Sequence, residues 1–390
     1  MRIGTCRHGL LIVALAAVAG CGQTEAPRFR LNMEGRNRAD VPLEQQQAVV
    51  NALEAAFGNP DVPSVFPEAG LDLKKLQLAA GPSMTTQTGA RQGLYRQHCA
   101  HCHGISGDGL GPTAGFLTPY PRDYRQGMFK FTSTGDGAKP TMEDLKRTIS
   151  QGIAGTAMPA FSLLPQDEID ALAEYVKYLS IRGETEALLT AFVESEGPEK
   201  LNREAVLAEA MVPIVEFWNA APSQVVQPPE RPAEAAIDTP EQLAASIEAG
   251  RVLFANTRGQ CTKCHGPTAL GDGDVVFDFW NDPKEKLRKS SPAGAALVAE
   301  LYSLPIQQLQ PRNLQLGIYR GGRRPLDLYR RIHAGIKGAN MPAAGATPAK
   351  PAGLSNEQIW SLVDYVRSLP YDEQRPVPAA HAHTAQLQTN

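Results

Sequence analysis

Four of the six cysteines in this 390-residue chain fall in two copies of one pattern. Cys99-Ala-His-Cys102-His103 and Cys261-Thr-Lys-Cys264-His265 each place two thiols one helical turn apart, with a histidine directly after the second. Thiols at i and i+3 reach the two vinyl groups along one edge of a single porphyrin, and the next side chain then points at its iron. The pattern predicts two covalently bound haem c groups, with His103 and His265 as proximal ligands. A redox-active dithiol needs a βαβ setting and leaves both histidines without a role. A zinc site shared by the two Cys pairs competes on ligand count alone. Against it, each pair is followed by an arm carrying its own further ligand candidate.

That candidate is a methionine. Segment 144–159 (DLKRTISQGIAGTAMP) recurs as 327–342 (DLYRRIHAGIKGANMP), and Leu145, Ile149, Gly152, Ile153, Gly155 and Met158 all repeat 183 positions later. Met158 and Met341 precede proline after a Gly-rich turn, a place where a core methionine is less expected than on a helix face. Both are predicted as sixth iron ligands. A thioether there closes the iron and favours electron transfer, whereas an open position favours small-molecule chemistry. Met128 is a lesser competitor in the first unit and His333 in the second. The remaining histidines, His98 and His101 beside the first attachment turn and His381 and His383 in the tail, are not expected on iron.

The elements that must position these residues are helical. Ile169, Leu172, Ala173, Val176 and Leu179 form an apolar stripe at helical period, and Ile359, Leu362, Val363, Val366 and Leu369 repeat its spacing. The chain is therefore read as all-α, with two tandem helical haem units at 86–184 and 239–371. His103 to Met158 spans 55 residues and His265 to Met341 spans 76, which predicts an insertion around 278–305. Residues 21–85 read as a tether and helical extension, with a helix over Leu43–Phe57 stopped at Gly58-Asn59-Pro60. Residues 185–238 read as a linker with one helix over Glu194–Trp218 and a Pro-rich end, and 372–390 as a disordered tail.

On these motifs the two units resemble class I cytochrome c domains, and the chain resembles a dihaem c-type cytochrome lipoprotein. The resemblance implies that Tyr95 packs near Tyr175, and Phe254 near Tyr365, where first and last helices cross. It implies that a carbonyl beside Pro121 or Pro311 orients each proximal histidine. Arg122 and Arg312 are then candidates for contacts with the haem propionates, since a guanidinium fork suits a carboxylate.

Hydrophobic residues make up 42% of the chain and charged ones 20%, enough for packed cores and against wholesale disorder. A net charge of −3 offers no basic excess for nucleic acid. Residues 1–20 have a basic start (Arg2, Arg7) and an apolar run, and Val18-Ala19-Gly20-Cys21 resembles a lipobox, so Cys21 is the predicted lipidation site. The expected location is the periplasmic side, anchored to the membrane by lipid. The expected function is non-enzymatic: single electrons pass between redox partners, a donor and an acceptor such as a terminal oxidase. The alternative is a dihaem peroxidase-like or thiosulfate-oxidising enzyme with one open haem. Two basic clusters, Lys284, Lys286, Arg288 and Lys289, and Arg320, Arg323 and Arg324, are candidate docking sites for an acidic partner or simply solvated surface.

Overall fold

The computed structural model describes residues 26–371, apart from 38–39, 86, 88, 90, 230–238 and 257–259. The leader, Cys21, the end of the Pro-rich linker (230–238) and the tail with His381 and His383 lie outside the described residues. The fold is all-α; among the described residues one small sheet pairs Met84–Thr85 with Arg91–Gln92.

Helix α1 (Leu43–Phe57) buries Val49, Leu53, Ala56 and Phe57, and ends at Gly58, which takes φ +70°. A short helix α2 (Leu73–Ala79) starts on the Asp72 carboxylate, which accepts the N–H groups of Lys74 and Lys75. Helices α3 (Leu94–His98) and α4 (Ala100–His103) carry the first attachment motif. Helix α5 (Met142–Gln151) opens on a capping box between Thr141 and Asp144. Helix α6 (Gln166–Glu196) forms the spine of the first unit, burying Ile169, Leu172, Ala173, Val176 and Leu179 along the expected stripe. Tyr178 on the same helix donates to the Phe57 carbonyl at 2.6 Å, which ties the N-terminal extension to this spine.

The region expected as a linker is built differently. Helix α6 does not stop at 184 but runs to Glu196, burying Leu189 and Val193 as it goes. The single helix expected over Glu194–Trp218 is instead α7 (Arg203–Ala205), a π-helical stretch over Val206–Met211, and α8 (Val212–Ala220). Pro213 has no N–H for a carbonyl one turn back, which accounts for the loosened turn before it. This segment packs rather than spans: Val206, Ala210, Met211, Ile214, Val215 and Trp218 join the core around α6. Their apolar spacing continues at helical period, so burying them stabilises more than leaving them between two units.

In the second unit α9 (Pro240–Ala255) crosses α14 (Asn356–Ser368). The crossing is close at Gly250, where a Cβ would stand 2.8 Å from the Cβ of Tyr365. Between them come α10 (Cys261–His265) and α13 (Pro325–Ala334). The expected insertion is a helical pair, α11 (Asp282–Ser290) and α12 (Pro292–Leu301), whose base is closed by pairing of Val276 with Leu309. Phe254, Leu328, Tyr329, Ile359, Leu362 and Val363 form a separate core.

The two units meet reciprocally. Arg147 on α5 donates to Asp327 on α13 at 2.8 Å. Asp327 and Arg330 are the 183-residue counterparts of Asp144 and Arg147, and Arg330 in turn lies in the field of Asp144. The contact therefore has the self-complementary character of a two-fold interface, built inside one chain. Lys337 donates to Thr132, Thr134 and the Ala138 carbonyl at 2.6–3.0 Å, and Lys130 pairs with Asp278 at 3.1 Å. The insertion adds a second clasp: Gln307 reaches the Leu117 carbonyl, and Leu301 accepts from Gly35 in the N-terminal extension.

Candidate haem centres

Both attachment turns are built alike. The N–H of His103 bonds Cys99 O at 2.9 Å, and Gly104 ends the helix at φ +73°. The chain then doubles back, so that Gly109 donates to His103 O at 2.9 Å and Gly111 to Cys102 O at 3.0 Å. In the second unit Gly266 ends the helix at φ +74°, and Gly271 donates to His265 O at 2.9 Å. The two Gly-Asp-Gly turns are thus two residues out of step: Gly271 fills the place of Gly109, and Ala269, at φ +60°, fills that of Gly107. Among the described residues none of the four motif cysteines is drawn into a disulfide, as thioether attachment requires.

The two motif histidines are oriented in the same way. His103 Nδ1 lies 3.0 Å from Arg122 O, and His265 Nδ1 3.1 Å from Arg312 O, which leaves Nε2 of each ring for iron. Burial pushes His103 down to about 4, and lowers His265 as well, so both rings stay neutral, the form that binds metal. The surroundings differ. Tyr124 stacks on His103 with ring centres 4.6 Å apart. Leu314 occupies the corresponding place in the second unit, since Leu314 N bonds Ala269 O as Tyr124 N bonds Gly107 O. His103 and Cys99 are 9% and 7% exposed, while His265 and Cys261 are only half-buried. The aromatic crossings form in both units, Tyr95 with Tyr175 at 4.8 Å and Phe254 with Tyr365 at 5.3 Å between ring centres.

The two methionine turns also share a geometry. Ile153 N bonds Met158 O and Thr156 N bonds Ile153 O, both at 3.1 Å; Ile336 N bonds Met341 O and Ala339 N bonds Ile336 O, both at 3.0 Å. Each turn presents its methionine half-buried. Met128, the lesser candidate of the first unit, has its sulfur beside Gly338 in the turn of the other unit. His333 stacks on Tyr329 and crowds Gly345. His98 packs edge-on against Phe161.

Arg122 and Arg312 both reach across the interface. The Arg122 guanidinium lies 3.5 Å from the centre of the Trp280 ring, and burial lowers its pKa to about 10. Arg312 donates from Nε to Ile318 O and lays its guanidinium on Gly155. Nearby, Trp280 Nε1 and Arg320 Nε are buried donors without a hydrogen-bond partner. Arg320 is further strained by burial and by the adjacent charge of Arg312. Unpaired donors and crowded cations of this kind call for anions, and the carboxylates of two haem groups have the required chemistry. Trp280 carried no signal in the sequence and Arg320 only that of a basic cluster, because Arg122 and Gly155, which they meet across the interface, lie more than a hundred residues away. The first basic cluster is largely spent internally: Lys286 pairs with Asp282, and Arg288 and Lys289 with Glu285. Among the described residues no group of three or more His, Cys, Asp or Glu could hold a metal ion, which removes the shared zinc site.

Family models match both units. Residues 86–176 match the cytochrome c oxidase, cbb3-type, subunit III family, and residues 247–370 match the cytochrome c family, together just over half of the chain. The chain is a dihaem c-type cytochrome with two cytochrome c domains, and it binds two haem c groups covalently for haem-based electron transfer. No curated protein matches it. Among solved structures it is similar to a chain of the Kuenenia stuttgartiensis reducing HAO-like protein complex Kustc0457/Kustc0458, with 25% identity over 74% of this chain and 98% of that one, at a TM-score of 0.47.

Proposed function

We propose that this cytochrome is a relay that passes single electrons between redox partners through two His/Met-ligated haems, with His103 and Met158 at the first iron and His265 and Met341 at the second. The observation that carries this reading is the duplication of a whole coordination frame. In each unit an arginine carbonyl fixes Nδ1 of the histidine, and the same two hydrogen bonds close the methionine turn. Cys99, Cys102, Cys261 and Cys264 hold the two porphyrins, and Arg122, with the unpaired Trp280 Nε1 and Arg320 Nε nearby, serves a propionate, while the Arg312 side chain is turned to Gly155 instead. Haem c held in this way supplies one-electron chemistry at iron.

The protein makes the two sites unequal. Tyr124 and the buried walls around His103 and Cys99 exclude more water than Leu314 and the half-exposed His265. Poorer hydration disfavours the more highly charged oxidised state, so the first site has the higher potential and electrons run from the second unit to the first. The cbb3-type oxidase subunit in the name of the first unit's family supports a respiratory partner such as a terminal oxidase. Among the described residues no helix is long and apolar enough to cross a membrane. The lipobox-like run Val18-Ala19-Gly20-Cys21 supports attachment to the membrane on the periplasmic side through a lipid on Cys21. An optically monitored redox titration tests the order: two one-electron waves are expected, and Tyr124→Leu lowers the higher one. A single wave, or a Tyr124→Leu effect on the lower wave, contradicts it.

A further inference from the structure

We propose that Arg312, which belongs to the second unit, is a positioning residue for the first haem: its guanidinium holds the Met158 turn in place. The inference rests on the reading that Met158 is an axial ligand.

Gly155 stands at the tip of that turn with φ +70°. A Cβ built on it would meet Arg312 Nη2 first and lie 2.8 Å from Cζ and 3.0 Å from Nη1, so the guanidinium fills the space against the backbone of the turn. Arg320 Nη2 reaches Gly155 O from the same side at 3.5 Å. Arg312 is itself fixed, its Nε donating to Ile318 O at 2.9 Å and its carbonyl accepting from His265 at 3.1 Å. One residue therefore serves its own unit's histidine with its main chain and the other unit's methionine turn with its side chain.

The Met158 turn needs such a brace. Ala154, Gly155, Ala157, Pro159 and Ala160 are exposed. The turn's own bonds are few and local: Thr156 to Ile153 O, Met158 N to Thr156 Oγ1, and Ile153 N to Met158 O. The Met341 turn is supported from within its own unit. Phe279 donates to Gly338 O at 3.2 Å, Asn340 to Phe277 O at 2.6 Å, and the Trp280 ring lies against Gly338. The Met341 turn also meets the first unit, through Lys337 and through the Met128 sulfur beside Gly338, but it has these supports of its own as well, whereas the Met158 turn leans on Arg312 and Arg320.

The test uses proton NMR of the fully reduced holoprotein, in which the ring current of each haem shifts its axial methionine methyl far upfield. Met158→Ala identifies one of the two resonances. Arg312→Ala is expected to broaden or abolish that resonance, leave the Met341 resonance in place, and let about half of the haem bind carbon monoxide. Arg312→Lys is expected to restore most of the signal. The retained Met341 resonance shows that the variant is folded. Two unchanged resonances in Arg312→Ala, with no carbon monoxide binding, would overturn the brace. If Met158→Ala removes no resonance while Arg312 is intact, the ligation reading has failed first, and the brace falls with it.

Discussion

The reciprocal contact between α5 and α13 yields a stability prediction with a magnitude. Asp327 Oδ1 accepts Arg147 Nη1 at 2.8 Å and Arg324 Nη2 at 2.8 Å, and Oδ2 accepts Arg324 Nε at 3.0 Å. The Asp327 side chain is 3% exposed and that of Arg147 20%. Two unit charges 2.8 Å apart attract by about 6 kcal/mol at an effective dielectric near 20, and burial of both partners offsets most of it. Hydrogen bonds to charged groups leave about 1.5–3 kcal/mol net. Arg147→Ala should cost that much. It should stop short of the roughly 3–5 kcal/mol of a stranded charge, because Arg324 still pairs with Asp327. Asp327→Asn should couple to it by about 1–2 kcal/mol in a double-mutant cycle. Urea unfolding of the four proteins, followed by haem absorbance for both units and tryptophan fluorescence, reads the cycle. Additivity within about 0.3 kcal/mol would refute the claim that this pair holds the two units together.

Two further outcomes are expected. Tyr178→Phe removes a buried 2.6 Å bond to the Phe57 carbonyl, which keeps Ser64 N as a partner; it should cost about 1 kcal/mol and expose the N-terminal extension to limited proteolysis before the rest. Gly338→Ala must place a Cβ at φ +68°, 2.9 Å from the Trp280 ring and 3.2 Å from the Met128 sulfur. Strain alone costs about 1–2 kcal/mol, and the spectral change should appear at the second haem and not at the first.

The features legible in the sequence are those written locally. The helix over Leu43–Phe57 shows because its stripe ends at a glycine with positive φ. The two methionine turns show because 183 residues separate identical landmarks, and the attachment motifs show because three side chains share one helical turn. The boundary read at 184 falls inside α6, because an apolar stripe does not reveal whether a helix packs on its own unit or leaves it; Leu189 and Val193 show that only by what they touch. The roles of Trp280, Arg320 and Gly155 depend on partners in the other unit. No pattern along the chain could pair Arg122 with Trp280 or Arg312 with Gly155, since those contacts arise from the two-fold docking of the units.

The central claim is that both irons are closed by His and Met. Optical spectra of the purified holoprotein, oxidised, reduced, and reduced under carbon monoxide, test it most directly. The account predicts a near-red Met-to-iron band in the oxidised form and a reduced spectrum that carbon monoxide leaves unchanged. A carbon monoxide shift in half of the haem of the unaltered protein would contradict it and make one of the two sites a centre for chemistry on small molecules.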